Sequence, residues 1–364
     1  MSVKLDLKKE NIEVIEAIDT LTVNSIAKNI ADRIISTFPN FYLDRNQIFA
    51  KLSKLNMYKA NMPEGLAEAC YCHKNTSIYF NSNISNEDIE EFAIHECLHY
   101  LQEKRSKTHR LIRMGLSSYT GIKVKGLGLN EAAVQFMASK IIGIKPDVEK
   151  YYGITLHTPS PSYYPLECSL LNEIAYFVNE DVIFRSTFFA NDNFKKYMTI
   201  YTSKAIYDQI ELAFDTILDL EEKIIKLTNE INTLNDGDIK ITKLQQKIEQ
   251  YKENIVYNYF QTQNIIIKNF FDYEFNEVDT VDKLEIFRKK LYKFTDIMGG
   301  MKDYKFFDNY YIEMMNKIDH RYNVIENGGI ETALSTKPKN GLASLLEKIK
   351  NIFSNSKKNA KKEF

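Results

Sequence analysis

His95-Glu96-Cys97-Leu98-His99 sets two imidazoles four residues apart. On a helix that spacing stacks the side chains on one face, a turn apart, so both rings can present a nitrogen to one ion. Glu96 is displaced around the helix from that face. It need not bind the ion, and it can take the proton of a water that does. Zinc suits such a pair because it has no redox chemistry, accepts nitrogen and oxygen ligands, and leaves a fourth position for water. The third ligand is assigned to Glu131 in GLGLNEAAVQFMA, near the start of a second helix whose apolar residues would bury it against the first. His109, after the first helix, and His157, in a polar loop, stand as alternatives, although neither sits in an element that would fix its direction. The plainer readings are a chance match on an amphipathic helix and, for Glu131, a first-turn acid favoured by the helix dipole.

These residues need elements to aim them. Ser85 and Asp88 form an S-x-x-D capping box opening the helix NEDIEEFAIHECLHYLQEK, and Ile89, Phe92, Ala93, Leu98 and Leu101 trace its buried stripe. Before it, LAEACYCHKNTSIYFNSN reads as a hairpin around the turn His73 to Thr76. Upstream, SIAKNIADRIISTF shows Ile26, Ile30, Ile34 and Ile35 at helical spacing and ends before Pro39, so the first 60 residues read as one or two helices. A loop or hairpin from about Arg113 to Gly126 leads to the helix NEAAVQFMASKII, stopped by Gly143.

The ordered set NTSIYFN, HECLH and GLNEAAVQ resembles the gluzincin metallopeptidases over roughly residues 60 to 190. In that family an edge strand precedes the H-E-x-x-H helix, and the ligand glutamate comes from an N-E-x-x segment on the next helix. The resemblance implies that Ile78 to Asn81 lie along a substrate cleft with an exposed strand edge for an extended peptide. The tyrosine-rich SYYPLECSLLNEIAYFV also resembles compact bacterial members. Thermolysin's downstream histidine has no convincing counterpart, which leaves Tyr164, Tyr163, Tyr119 and His157 as donors to a developing oxyanion. With 23 tyrosines in the chain, core or surface aromatics are the plain alternative. The implied reaction is peptide-bond hydrolysis: zinc polarises the carbonyl, and Glu96 deprotonates the water and hands the proton to the leaving amine. The partner is then a peptide or protein substrate.

Composition bounds this reading. With 44% hydrophobic and 27% charged residues but only 13 Gly and 7 Pro in 364 residues, the chain is a folded, helix-rich protein. Its net charge of -1 gives no general argument for a nucleic-acid partner. Charges run through MSVKLDLKKENIEVIEAIDT where a signal peptide needs an apolar segment, and no later run is long enough to span a membrane, so a cytoplasmic location is expected. Cys70, Cys72, Cys97 and Cys168 do not read as a disulfide framework. Cys70 and Cys72 read as two small strand residues, because no second pair stands nearby to complete a metal site.

Beyond Pro165 the pattern is almost wholly helical. Ile210, Ala213, Ile217, Leu220, Ile224, Leu227, Ile231 and Leu234 form a heptad seam, interrupted at Asn235-Asp236-Gly237-Asp238 and resumed through Ile241, Leu244, Ile248, Tyr251 and Ile255. The expected geometry is an antiparallel coiled-coil hairpin over about 208–258, a possible homo-oligomer contact, with Glu221, Glu222, Lys223 and Lys226 on one limb's charged outer surface and Lys243, Lys247, Glu249 and Lys252 on the other's. The fold class is therefore α+β and predominantly helical: a zincin-like domain over 1–200, a helical domain over 201–330 and a basic amphipathic tail over 331–364. That tail could contact a membrane surface or a protein groove, although docking on its own protein is favoured. The alternative from another class is a non-catalytic scaffold with a structural or vestigial zinc site, against which Glu96 argues, since a structural ion has no use for a base.

Overall fold

The computed structural model describes residues 7–8, 11–63, 68–121, 123–235, 239–299 and 305–327. The expected C-terminal tail and residues 236–238 of the interhelical turn lie outside them. The architecture is mostly helical with three small sheets, in keeping with an α+β class. None of the described helices is long and apolar enough to cross a membrane.

The N-terminal segment carries β1 (Glu13–Ala17), α1 (Thr20–Thr37) and α2 (Arg45–Leu52). Asp19 caps α1 by accepting from the N–H groups of Leu21 and Thr22 at 2.9 and 3.0 Å. Val23, Ile26, Ala27, Ile30, Ala31 and Ile34 bury its inner stripe at helical spacing, whereas Ile35 is only half-buried. β1 and β2 (Asn56–Asn61) are strands where sequence reading gave only helices.

The first sheet has the order β1-β2-β4-β3, with β3 (Ala69–Cys72) and β4 (Ser77–Asn81) forming the expected hairpin about residues 73–76. One implied feature is corrected here. β4 is not an edge, because β2 pairs with it in parallel on one side and β3 antiparallel on the other. The physical reason lies in burial: Ser77, Ile78, Tyr79 and Phe80 are all buried and suit a central strand, while three of the four residues of β3 are half-exposed and suit the rim. The free edge belongs to β3.

Against β3 and β4 packs α3 (Ile89–Leu101), which carries the H-E-x-x-H sequence. Ser85 Oγ accepts from the Asp88 N–H at 3.2 Å and donates to the Asp88 carboxylate at 2.7 Å, so the box forms just ahead of the helix. The segment from Arg113 to Gly126, expected as a loop or hairpin, is part of a four-stranded meander, β5 (Glu103–Arg105), β6 (Leu111–Met114), β7 (Ser117–Thr120) and β8 (Lys123–Lys125), which begins where the helix reading had run on to Lys104. It delivers the chain to α4 (Leu127–Ile142), which ends at Gly143 with φ +89° as the glycine stop predicts. A further hairpin, β9 (Asp147–Tyr151) and β10 (Ile154–Thr158), precedes α5 (Pro165–Val178).

The remainder is helical: α6 (Glu180–Phe188), α7 (Asn193–Tyr201), α8 (Lys204–Asn232), α9 (Ile239–Asn276), α10 (Val281–Ile297) and α11 (Lys305–Glu326). α8 and α9 pack on each other with opposite polarity, since Glu230 pairs with Lys240 and Lys223 lies over the Tyr251 ring. Ile210, Ile217, Leu220 and Ile224 are buried, and so are Ile248 and Ile255; Leu227, Ile231, Leu234, Ile241 and Leu244, towards the turn, are only half-buried. The base of the pair is built into the molecule. α8 packs on α4, and α9 on α5.

That packing sets the start of α4. The N–H groups of Gly126 and Gly128 donate to the Asp215 carboxylate of α8, each at 2.9 Å. A Cβ on Gly128 would fall 2.3 Å from the Phe214 carbonyl oxygen, so only glycine permits the approach.

Candidate metal centre

α3 presents His95 and His99 on one face, and α4 crosses it to bring Glu131 opposite. Glu131 Oε2 lies 3.2 Å from His95 Nε2 and 3.2 Å from His99 Nε2, and the two Nε2 atoms are 2.9 Å apart. A tetrahedral ion with bonds of about 2.0–2.1 Å has ligand–ligand edges of about 3.3–3.4 Å, so the triangle matches a three-ligand site with small adjustments. Among the described residues this is the one group of three or more His, Cys, Asp or Glu side chains whose ligand atoms lie within 4.8 Å of one another. The donor set, two imidazoles and a carboxylate, could hold a divalent ion.

The imidazoles are steered from behind. His95 Nδ1 meets Gln135 Oε1 at 2.8 Å, which fixes that nitrogen as the N–H and leaves Nε2 free to ligate. Gln135 is one turn beyond Glu131 on α4, and its amide nitrogen donates to Ser160 Oγ at 3.0 Å. His99 Nδ1 faces the Gln102 amide at 3.3 Å. With that amide turned so that its oxygen accepts from His99, the Gln102 nitrogen faces Asn130 Oδ1. A Cβ on Gly115 would fall 1.6 Å from one of these amide oxygens and 2.0 Å from the other, which places the two within reach of each other. Both rings then have Nε2 available.

Glu96 is 8% exposed and lies beside the ligands. Burial pushes its carboxyl up to about 7; the His95 charge and the Tyr71 N–H oppose this, and Glu131 adds to it. Burial also raises Glu131, but His99 and the hydrogen bonds from both imidazoles outweigh it and hold that carboxyl well below its usual range. One group is poised to exchange a proton near neutrality and the other to stay ionised.

A cavity of about 470 Å³ opens on this group. His95, Glu96 and Gln135 line it, with Ala69 from the rim strand, Asn81 from the end of β4, and Tyr163 and Tyr164 ahead of α5. Tyr164 takes φ +49° and stacks on His95 with ring centroids 6.0 Å apart. Burial raises its phenol far above the ordinary value, so it stays an O–H donor. Tyr163 also reaches the cavity and packs on Phe92. Tyr119 sits on β7 against His73. His109 lies in a turn on the surface, and His157 sits in β10 with Nδ1 3.2 Å from the Ile297 carbonyl oxygen, so neither joins the ligand cluster.

Sequence reasoning missed Gln135, Gln102 and two buried glutamates. Gln135 had a signal, the i,i+4 spacing from Glu131. Glu221 was expected on the outer surface of α8; it is 6% exposed and meets Glu167 of α5. In comparison with known proteins, the chain matches no family model, no curated sequence and no solved structure, and the cluster of His95, His99 and Glu131 at a cavity is the feature that carries the argument for its function.

Proposed function

We propose that the chain is a zinc-dependent peptidase of gluzincin type, hydrolysing peptide bonds at His95, His99 and Glu131 with Glu96 as the base. The observation that carries this reading is the meeting of three ligand atoms with a second, buried carboxyl, Glu96, beside a cavity that His95 and Glu96 line. A structural ion is better served by a closed four-ligand set without a cavity. When bound, zinc supplies Lewis acidity that polarises a carbonyl and eases removal of a proton from water.

The chain's residues do the rest. Glu96 Oε takes the water's proton and returns it to the departing amine nitrogen, a round trip suited to a carboxyl whose pKa has been pushed close to neutrality. Gln135 holds His95 in the ligating tautomer. The Tyr164 hydroxyl is the donor best placed to steady negative charge on the carbonyl oxygen, being ordered against His95 in the cavity wall. β3 is the last strand of its sheet and lies beside Glu96, where an extended peptide can add as a strand.

The test is metal content with a casein-type assay, with and without chelator. Purified protein should carry about one zinc per chain, and a His95→Ala/His99→Ala double variant none. Glu96→Gln should retain zinc and lose nearly all activity, whereas Glu131→Gln should mainly weaken metal binding. Stoichiometric zinc in the double variant would falsify the site; zinc without hydrolysis of any substrate would favour a structural role.

A further inference from the structure

The cavity has a second charged wall, away from the ligands. Glu221 lines it from α8, and Glu167 of α5, 0% exposed, faces Glu221 from behind. The two carboxyls hydrogen-bond each other, and burial together with that contact raises Glu221 well above the usual carboxyl range, so the pair holds a shared proton. Apart from this and the Glu167 N–H, Glu167 and Oε1 of Glu221 have no donor among the described residues. Two buried carboxyls without donors are costly unless a cation or a shared proton accompanies them. The chain supplies no cation. Lys226, the one lysine or arginine in the lining, lies 3.4 Å from Glu222 and pairs with that exposed carboxylate instead. Against it the lining sets Glu68, Glu91, Glu96, Glu221 and Glu222.

Aromatic rings complete the wall. Tyr151, Tyr152 and Tyr164 all lie within electrostatic reach of both Glu167 and Glu221. Tyr151 and Tyr164 line the cavity, and Tyr151 packs on Tyr152 with ring centroids 4.4 Å apart. Aromatic faces around a buried carboxyl pair with no cation of its own suit a cation that can replace the shared proton. Tyr164 touches both ends: it stacks on His95 and reaches the glutamate pair, so a ligand filling this wall is continuous with one at the metal centre.

We infer that the wall formed by Glu221, Tyr151 and Tyr164 is a subsite for a basic side chain, lysine or arginine, of a bound peptide, an assignment that rests on the peptidase reading. The substrate class is then peptides with a cation close to the bond cleaved. The bound cation replaces the proton shared by Glu221 and Glu167, which leaves to solvent; Glu221 then makes the ion pair with Glu167 behind it, and the tyrosine rings flank the aliphatic stem.

The experiment separates this subsite from hydrolysis itself. Fluorescein-labelled alanine peptides, with one lysine, norleucine or glutamate walked along the sequence, are titrated into the full chain in chelator, where cleavage is off. The same peptides are assayed for cleavage with zinc added. One lysine position should bind about tenfold or more tightly than its norleucine counterpart, since a desolvated charge pair is made in one case only. Glu221→Gln should bring the two together. Glu222→Gln, which removes an equal charge from the exposed rim, should leave the preference, and melting curves report whether each variant is folded. Equal affinity for lysine and norleucine, absence of binding, or equal loss in Glu221→Gln and Glu222→Gln overturns the subsite. A lysine preference in chelator without cleavage in zinc keeps the subsite and removes the peptidase; cleavage without lysine preference does the reverse.

Discussion

Glu173, on the buried side of α5, accepts from Gln263 Nε2 at 2.6 Å through one oxygen, while the other has no donor. Burial pushes its carboxyl up to about 8, with the Gln263 bond opposing. An unfolded chain loses this proton near 4.5, whereas the folded chain keeps it until about pH 8. Stability from this residue is therefore greatest below pH 4.5 and falls as pH rises through that window, by roughly 1 kcal/mol per pH unit. Glu173→Gln keeps the bond and removes the charge, so the difference in stability, variant minus wild type, should grow from pH 5 to pH 8 in denaturant titrations. A constant difference would show that Glu173 ionises freely in the fold. At this scale the meeting of His95, His99 and Glu131 was legible, because an i,i+4 histidine pair shares one helix face and Glu131 lies near the start of the next helix. Glu221 was not, because a glutamate flanked by Glu222 and Lys223 reads as solvated surface until the helix that covers it is known.

The meander β5 to β8 does more than connect α3 to α4. Its turn residue Gly115 has φ +55° and presses on the Gln102 and Asn130 side chains, and Gln102 in turn faces His99. Gly115→Ala should cost about 1–3 kcal/mol from backbone strain alone. By displacing Gln102 it should also weaken zinc binding about 10–100-fold, read by competition with a chelating dye. Gly143→Ala is the matched control: its φ is +89° but a Cβ there meets nothing within 4 Å, so it should lower stability and leave zinc affinity alone. Helix α1 was readable from its isoleucine spacing, α3 from its apolar stripe and the Ser85–Asp88 box, and α4 from its glycine stop. The strands β1, β5, β7 and β8 were not: at three to five residues each, as in EVIEA or KVK, they are too short and too charged to show alternation, and pairing with neighbours decides them.

Across the whole molecule, one continuous hydrophobic cluster runs from Val23 on α1 to Ile318 on α11. The sequence suggests a boundary near residue 200, where truncation would spare the metal site. Asp215 argues otherwise, because its carboxylate satisfies the N–H groups of Gly126 and Gly128 at the start of the helix that carries Glu131. Asp215→Ala should cost about 1 kcal/mol and lower zinc affinity, and a chain ending at 200 should lose the site together with much of its helicity. Unchanged zinc affinity in that fragment would establish an independent N-terminal domain. The heptad seam was legible because its period is long and regular. The packing of its base on α4 and α5 was not, since nothing local in α8 or α9 records which helices they meet. The reach of Asp215 also has a bearing on synthesis. A chain emerging from the ribosome exposes His95, His99 and Glu131 well before residue 215 has been made, so the helix that aims Glu131 is finished late. Until then the N–H groups of Gly126 and Gly128 lack the carboxylate that satisfies them, and the start of α4 is incomplete.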